Sequence, residues 1–133
     1  MRQRGVVLCA LTPHPPLLIP EIGKRDISAV KATKEAMGKL AYRVSRVKPD
    51  VIIVISPHAP LFHDVIAVLV DQPLTGDFSG FGVPGAKYSF KNDLELAHVI
   101  MDEANEIGVR MYEFDSKSGD RHRRLHGLDH GVL

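Results

Sequence analysis

The sequence predicts an α/β fold, and two apolar runs with a helix between them are the main reason. Residues 5–11 and 51–55 are short, free of charge and rich in β-branched residues, as strands buried on both faces of a sheet are. The segment between them, 26–47, has the spacing of an amphipathic helix. A strand–helix–strand unit favours parallel strands joined by a right-handed crossover, so a mostly parallel sheet is predicted.

The helix predicted over residues 26–47 has one apolar stripe at spacings of three and four. The stripe consists of Ile27, Val30, Met37, Leu40, Ala41, Val44 and Val47. Asp26 or Ser28 is suited to cap its start, and Lys48-Pro49 is suited to end it.

The later elements follow the same alternation. Residues 64–70 are predicted as a third strand, 92–107 as a second helix and 109–114 as a fourth strand. Asn92 with Glu95 predicts a capped helix start, and Gly108 is suited to a left-handed residue after the helix. The stripe predicted to be buried consists of Leu94, Ala97, Met101 and Ala104.

Residues 71–90 are predicted to be a long irregular segment, because glycines and aromatic residues alternate there. A loop of this length in a compact domain is usually functional or mobile. It is interpreted either as a lid or wall of a site or as a surface connection held by its aromatic residues.

Composition narrows the function classes. The 133 residues predict one domain, 1–133, and the net charge of +1 argues against nucleic acid as a partner. No apolar run approaches the length that spans a bilayer, so no membrane association is expected. The single cysteine, Cys9, is predicted to be a small buried hydrophobe, and its solitary state fits a reducing cytoplasm.

Each of the first two apolar runs is followed by the same short motif. Thr12-Pro13-His14-Pro15-Pro16 and Ser56-Pro57-His58-Ala59-Pro60 both read hydroxyl-Pro-His-x-Pro. Proline has no N–H for a strand ladder, so each histidine is placed just after a strand. Carboxyl ends of neighbouring strands share one sheet edge, where ligands bind. His14 and His58 are therefore predicted to bind one metal ion, Fe or Zn, and the alternative is two loop histidines bonded to backbone.

His130 is the third candidate, because it lies in Asp129-His130-Gly131 near the end of the sequence. A histidine near the metal suits general acid–base catalysis, and the alternative is a turn histidine. Asp129 is suited to orient an imidazole.

The remaining histidines and the acidic residues carry weaker predictions. His63 is interpreted as a surface residue, His98 as structural, and His122 and His126 as solvated. Two histidines and one carboxylate form the facial triad of non-haem Fe(II) oxygenases. The carboxylates considered for that position are Glu21, Asp64, Asp115 and Asp129.

The three motifs, in this order, resemble the class III extradiol ring-cleavage dioxygenases of the B type. Gly127-Leu128-Asp129-His130-Gly131-Val132-Leu133 is the third of them. The similarity is greatest to the branch associated with AMMECR1-type domains and related to the Memo proteins, and it extends to residues 76–93.

The resemblance implies a three-layer α/β/α sandwich that binds Fe(II) and opens catechol rings with O₂. It implies that His14 and His58 are metal ligands and that His130 lines the substrate pocket as an acid–base or oxyanion group. The family's domain is about twice as long, with its glutamate ligand beyond the region matched. The chain is therefore expected to be the N-terminal half of that domain and inactive alone. Val132-Leu133, an apolar start without continuation, fits this expectation.

Two other functions stay open. The Memo relatives suggest a non-catalytic module that binds a metal, an anion or a peptide in the same cleft. A zinc hydrolase is the third hypothesis. An AMMECR1-type partner domain and self-association through an exposed sheet edge are the partners expected besides substrate and O₂.

Overall fold

The computed structural model describes residues 5–58, 62–115 and 127–133. It contains helices and strands and a parallel strand pair, which confirms the α/β class. The chain divides into two compact units, Met1–Val54 and Ile55–Leu133. Among the helices in the described ranges, none combines the length and the apolar character needed to span a bilayer.

The first unit consists of short helical turns followed by one long helix. A 3₁₀ turn at Pro16–Leu18 leads into helix α1, Pro20–Gly23, and Gly23 is buried where a Cβ would lie 2.2 Å from the carbonyl oxygen of Leu17. A 3₁₀ helix, Lys24–Val30, then runs into helix α2, Lys31–Val47. The proline-rich segment that follows His14 therefore closes tightly on itself.

The predicted stripe of the long helix is largely confirmed. Ile27, Val30, Met37, Leu40 and Val44 are half-buried, whereas Ala41 and Val47 are exposed. The prediction for the start was wrong: Asp26 and Ser28 lie within the 3₁₀ helix, and the residue that precedes α2 makes no side-chain cap.

Residues 5–11 and 51–55 are not strands, so the predicted first and second strands were wrong. Leu11 and Ile55 are 101% and 92% exposed, and Ile52 and Ile53 are also exposed. Cys9 is exposed as well, contrary to its predicted burial. The physical reason is that a strand is stabilised by a hydrogen-bonded neighbour, and an apolar composition does not itself supply one.

A parallel strand pair and its connecting helix organise part of the second unit. Strand β1, Ile66–Leu69, pairs in parallel with β4, Met111–Phe114, and helix α3, Leu94–Glu106, lies between them in sequence. The strands predicted at 64–70 and 109–114 and the second helix are thus confirmed with shorter bounds. Phe114 is buried at the end of β4.

Asp93, and not Asn92, caps helix α3: its Oδ1 accepts a hydrogen bond of 3.1 Å from the amide of Leu96. The Asn92 side chain instead donates to the carbonyls of Leu69 and Asp71 at 3.0 and 3.1 Å. The capping prediction was therefore wrong by one residue, because Asn92 is engaged at the end of β1.

The segment predicted to be irregular is an antiparallel hairpin. Strand β2, Leu74–Phe78, pairs with β3, Val83–Phe90, and a 3₁₀ turn, Ser79–Phe81, joins them. Phe78 is 1% exposed and is the anchor of this hairpin. The glycines and Pro84 interrupt the alternation of apolar and polar residues that normally indicates a strand, so the sequence pattern did not predict this hairpin.

Candidate functional site

The structure brings His58 and His130 into contact within the second unit. Their ring centroids are 4.3 Å apart, with an angle of 35° between the ring planes. One ring nitrogen of each lies within 4.8 Å of one of the other. His58 is exposed and His130 is half-buried, so solvent reaches the His58 side chain more than that of His130.

A small polar network joins the chain segments that carry these histidines. Oδ1 of Asp129 accepts hydrogen bonds from the Ser56 hydroxyl at 3.0 Å and from the Gly131 amide at 2.6 Å. The Ser56 hydroxyl oxygen in turn accepts a hydrogen bond of 3.3 Å from the amide of His58. One carboxylate oxygen and one hydroxyl therefore connect the backbone at both histidines.

Glycine is required at position 131 because three side chains lie close to its Cα. A Cβ at position 131 would lie 2.9 Å from Oδ1 of Asp129, 3.1 Å from Oγ of Ser56 and 3.2 Å from Cδ2 of His58. A side chain here would push on all three partners at once, so glycine follows His130 for a steric reason.

The C-terminal segment 127–133 is held against strand β2. The amide of Leu128 donates to the carbonyl of Thr75 at 2.8 Å, and a Cβ at Gly76 would lie 2.7 Å from the Leu128 carbonyl oxygen. The amides of Val132 and Leu133 fold back onto the carbonyl of Asp129 at 3.0 and 3.2 Å. The hairpin thus supports the turn that presents His130.

The turn of the hairpin also contacts His130 directly. The Phe81 ring meets the His130 ring edge to face, with centroids 5.2 Å apart and an interplanar angle of 66°. Phe81 is 42% exposed and leans on the buried Phe78 at 6.3 Å. This geometry fits the interpretation of residues 71–90 as a wall beside the site.

Asp77 stabilises that turn. Its Oδ1 accepts a hydrogen bond of 2.8 Å from the amide of Ser79. Hydrogen bonds from the side chain and the amide of Ser79 hold the pKa of the Asp77 carboxyl below its usual value.

His14, His63 and His98 are the other histidines that the structure describes. His14 belongs to the first unit, where it is half-buried just before the 3₁₀ turn Pro16–Leu18. His63 lines a groove of the second unit beside Arg110, which pairs with Asp64. His98 forms an ion pair with Glu113 at 3.1 Å when it is protonated, which suits its predicted structural role.

The other predicted residues are dispersed or outside the described ranges. His122 and His126 fall within 116–126, which the structure does not describe. Glu21 lies in α1 of the first unit, and Asp115 directly follows β4. Of the four carboxylates considered, Asp129 is the one that the described contacts place beside His58 and His130.

Sequence reasoning missed Ser56, Phe81 and Gly131 as parts of the site. The sequence did contain an indication of Ser56: it occupies the hydroxyl position of the second copy of the repeated motif, as Thr12 does in the first copy. Phe81 had only its place in a glycine-rich segment, and Gly131 had only its place after His130.

The donor chemistry of the site fits a divalent transition metal. Neutral imidazole nitrogens bind both Fe(II) and Zn(II), and two imidazoles converge here. Asp129 acts here as a hydrogen-bond acceptor that holds the backbone. An imidazole next to such a centre is also suited to accept and return a proton.

Comparison with known proteins identifies the family. The family model for the catalytic LigB subunit of aromatic ring-opening dioxygenase matches residues 8–133. Protein CA_C1420 of Clostridium acetobutylicum is 30% identical over 123 residues, which are 92% of this chain and 26% of that protein. The chain thus spans about a quarter of the length of this curated relative. No solved structure matches the chain. Because the family model covers nearly the whole sequence, including all three histidine motifs, the chain belongs to the family of the catalytic LigB subunit of aromatic ring-opening dioxygenase.

Proposed function

We propose that this chain provides part of the active site of a non-haem Fe(II)-dependent extradiol dioxygenase that acts on a catechol-type aromatic compound with O₂. Membership of the LigB family supports the reaction class. The observation that carries the proposal is the ring contact between His58 and His130, together with the hydrogen bond between Ser56 and Asp129 that joins their segments.

His14 and His58 are the proposed metal ligands. His58 presents an exposed imidazole next to a second one. His14 is included as a ligand for two reasons: it occupies the histidine position of the repeated hydroxyl-Pro-His-x-Pro motif, and the family resemblance implies it. When bound, Fe(II) supplies a centre with open positions at which a catechol and O₂ react. Zn(II) or another divalent ion would accept the same imidazole donors.

His130 is the proposed acid–base residue. Its imidazole is half-buried and contacts the rings of both His58 and Phe81, and these two contacts restrict its orientation. A neutral imidazole held in this way accepts the proton of a catechol hydroxyl and returns it later in the reaction. Phe81 offers an apolar surface next to the ring that moves the proton.

A second function is favoured by one specific contact. Oδ1 of Asp129, the carboxylate held beside His58 and His130, is engaged by Ser56 and Gly131. A site built from imidazoles without a carboxylate ligand suits a Memo-like module that binds a metal, an anion or a peptide without turnover. We also propose that the protein is cytoplasmic, that it forms a homo-oligomer and that it has an AMMECR1-type partner domain.

Metal loading followed by a catechol assay tests the proposal. The 133-residue chain and the longest natural polypeptide that contains it are loaded anaerobically with Fe(II), given several catechols and then exposed to air. We expect O₂ uptake and a yellow ring-fission product from the longer polypeptide, and loss of both in His58→Ala. His98→Ala is the matched control, because His98 pairs with Glu113 instead.

The outcomes separate the two functions. If metal binds but neither O₂ uptake nor yellow product appears with any catechol, the dioxygenase proposal is wrong and the binding module is supported. Firm Zn²⁺ binding with hydrolytic activity that is independent of O₂ would instead support a zinc hydrolase.

A further inference from the structure

Two hydrogen bonds that involve no imidazole join the segments that carry His58 and His130. The two rings belong to segments separated by most of the second unit's sequence, yet their centroids are 4.3 Å apart. The polar link between the segments runs from the amide of His58 to the Ser56 hydroxyl, and from that hydroxyl to Oδ1 of Asp129.

The same oxygen of Asp129 also fixes the far side of His130. It accepts the Gly131 amide at 2.6 Å, and the Asp129 carbonyl accepts the amides of Val132 and Leu133. Asp129 therefore sets the turn that carries His130 and ties it to the segment that carries His58.

Segment 55–58 contains none of the fully buried apolar residues that the structure describes. Of the residues that the structure describes, the buried apolar ones are Phe78 and Phe114, and neither lies in the segment 55–58. His58 itself is exposed. The hydrogen bond from Ser56 to Asp129 is therefore a described contact that ties segment 55–58 to the turn carrying His130.

We propose that Ser56 and Asp129 are positioning residues whose hydrogen bond sets the spacing of His58 and His130 for metal binding and proton transfer. This inference rests on the proposed function for its catalytic meaning. Groups that orient metal-binding histidines typically change metal affinity about 10- to 100-fold when they are removed. The repeated motif adds a prediction about the side chain at position 56. Thr12 occupies the same position in the first copy of the motif as Ser56 does in the second, so a threonine hydroxyl should replace the serine hydroxyl.

The first test measures metal affinity in the metal-free 133-residue chain by titration with Zn²⁺ alone. Ser56→Ala removes the hydroxyl and should weaken Zn²⁺ binding about 10- to 100-fold. Ser56→Thr keeps the hydroxyl and should recover most of that loss. Ser45→Ala is the matched control, because the Ser45 hydroxyl bonds to its own helix at the Tyr42 carbonyl.

The second test does not need a metal. In the metal-free protein, a nuclear Overhauser effect between ring protons of His58 and His130 should be seen in wild type and in Ser56→Thr. It should be lost in Ser56→Ala and in Asp129→Ala, while the amide spectrum of helix α2 stays unchanged as the check on folding.

Each outcome decides one proposal. If Ser56→Ala keeps the ring contact and the Zn²⁺ affinity of wild type, the positioning role is wrong. The absence of the ring contact in wild type would also overturn it. If wild type shows the ring contact and its dependence on the hydroxyl but the 133-residue chain binds no Zn²⁺, Ser56 and Asp129 still set the spacing of the rings, but their role in metal binding by this chain is wrong. The dioxygenase proposal is then decided separately, by the catechol assay.

Discussion

The Ser56 hydroxyl donates a hydrogen bond of 3.0 Å to the Asp129 carboxylate across 73 positions of the chain. Each of these residues lies within two positions of a histidine, and those histidines are in ring contact. This hydrogen bond links two sequence motifs that are far apart in the chain. Since both partners are half-buried, water competes with the bond less than it would at a fully exposed position.

Gly131→Ala should separate the two histidines. The added Cβ would lie within 3.2 Å of Asp129, Ser56 and His58, so at least one of them must move. Overpacking of this kind costs about 1–3 kcal/mol of folding free energy. Thermal unfolding and the His58–His130 ring contact by NMR are the measurements.

Gly38→Ala is the control for that variant. Gly38 lies within α2, where a new Cβ meets nothing within 4 Å. Alanine should stabilise the helix by about 0.5–1 kcal/mol, the opposite sign. Equal effects of the two substitutions would contradict the steric argument.

Phe81→Ala should release His130 on one side. It removes the edge contact at 5.2 Å and the contact with Phe78 at 6.3 Å. Aromatic pairs contribute about 0.5–1.5 kcal/mol each beyond their buried area, so a loss of that order is expected. The His130 ring protons should also shift, because the ring current of Phe81 is lost.

Phe90→Ala provides the comparison for Phe81. Phe90 is similarly exposed, at 49%, but lies at the far end of β3, opposite Leu74. It should leave the His130 ring signals unchanged. For a catalytically competent form, Phe81→Ala should raise KM for catechols more than it lowers kcat, and an unchanged KM would argue against a wall.

Asp77→Asn should make the hairpin turn less sensitive to acid. The pKa of Asp77 is lowered in the folded state by its hydrogen bonds to Ser79. The stabilisation is therefore present above the unfolded pKa of about 3.9 and is lost as the pH falls through the lower folded pKa. The Ser79 amide signal, followed from about pH 6 to about pH 2 across that range, should show this transition in wild type and not in the variant.

Asp102→Asn is the control for the acid titration. Asp102 is exposed on helix α3, away from the turn. The Ser79 amide of that variant should titrate as wild type does. A wild-type Ser79 amide that shows no change over this pH range would contradict the assignment.

Asn92→Ala should loosen the base of the hairpin. The Asn92 side chain donates to the carbonyls of Leu69 and Asp71, and its backbone exchanges two hydrogen bonds with the Gln72 side chain. Leaving the two partly buried carbonyls without these donors should cost about 1–3 kcal/mol, measured by denaturant unfolding. Asn105→Ala, at an exposed position of α3, should change stability by less than about 0.5 kcal/mol.

The helices were predictable because their signals are local. The half-buried stripe of the helix repeats every three or four residues, and that spacing is itself the physical cause of the buried face; its members are Val30, Thr33, Met37, Leu40 and Val44. Strand pairing is not local. The run 51–55 has a suitable composition, but no pattern within it shows whether another strand lies alongside.

The site was predictable to a similar extent. His58 and His130 were selected from short motifs, and the structure places them together. The bond between Ser56 and Asp129 was not predictable, because nothing near either residue indicates a partner 73 positions away. The contact of Phe81 depends on the hairpin, which the glycine-rich sequence concealed.

The exposed run Val51–Ile55 has a consequence for anyone who handles this protein. Five consecutive uncharged β-branched residues without proline or glycine have the composition of segments that stack into cross-β fibrils. Concentrated samples should therefore precipitate with time, and a lysine in place of Ile53 would act as a gatekeeper that keeps the chain in solution.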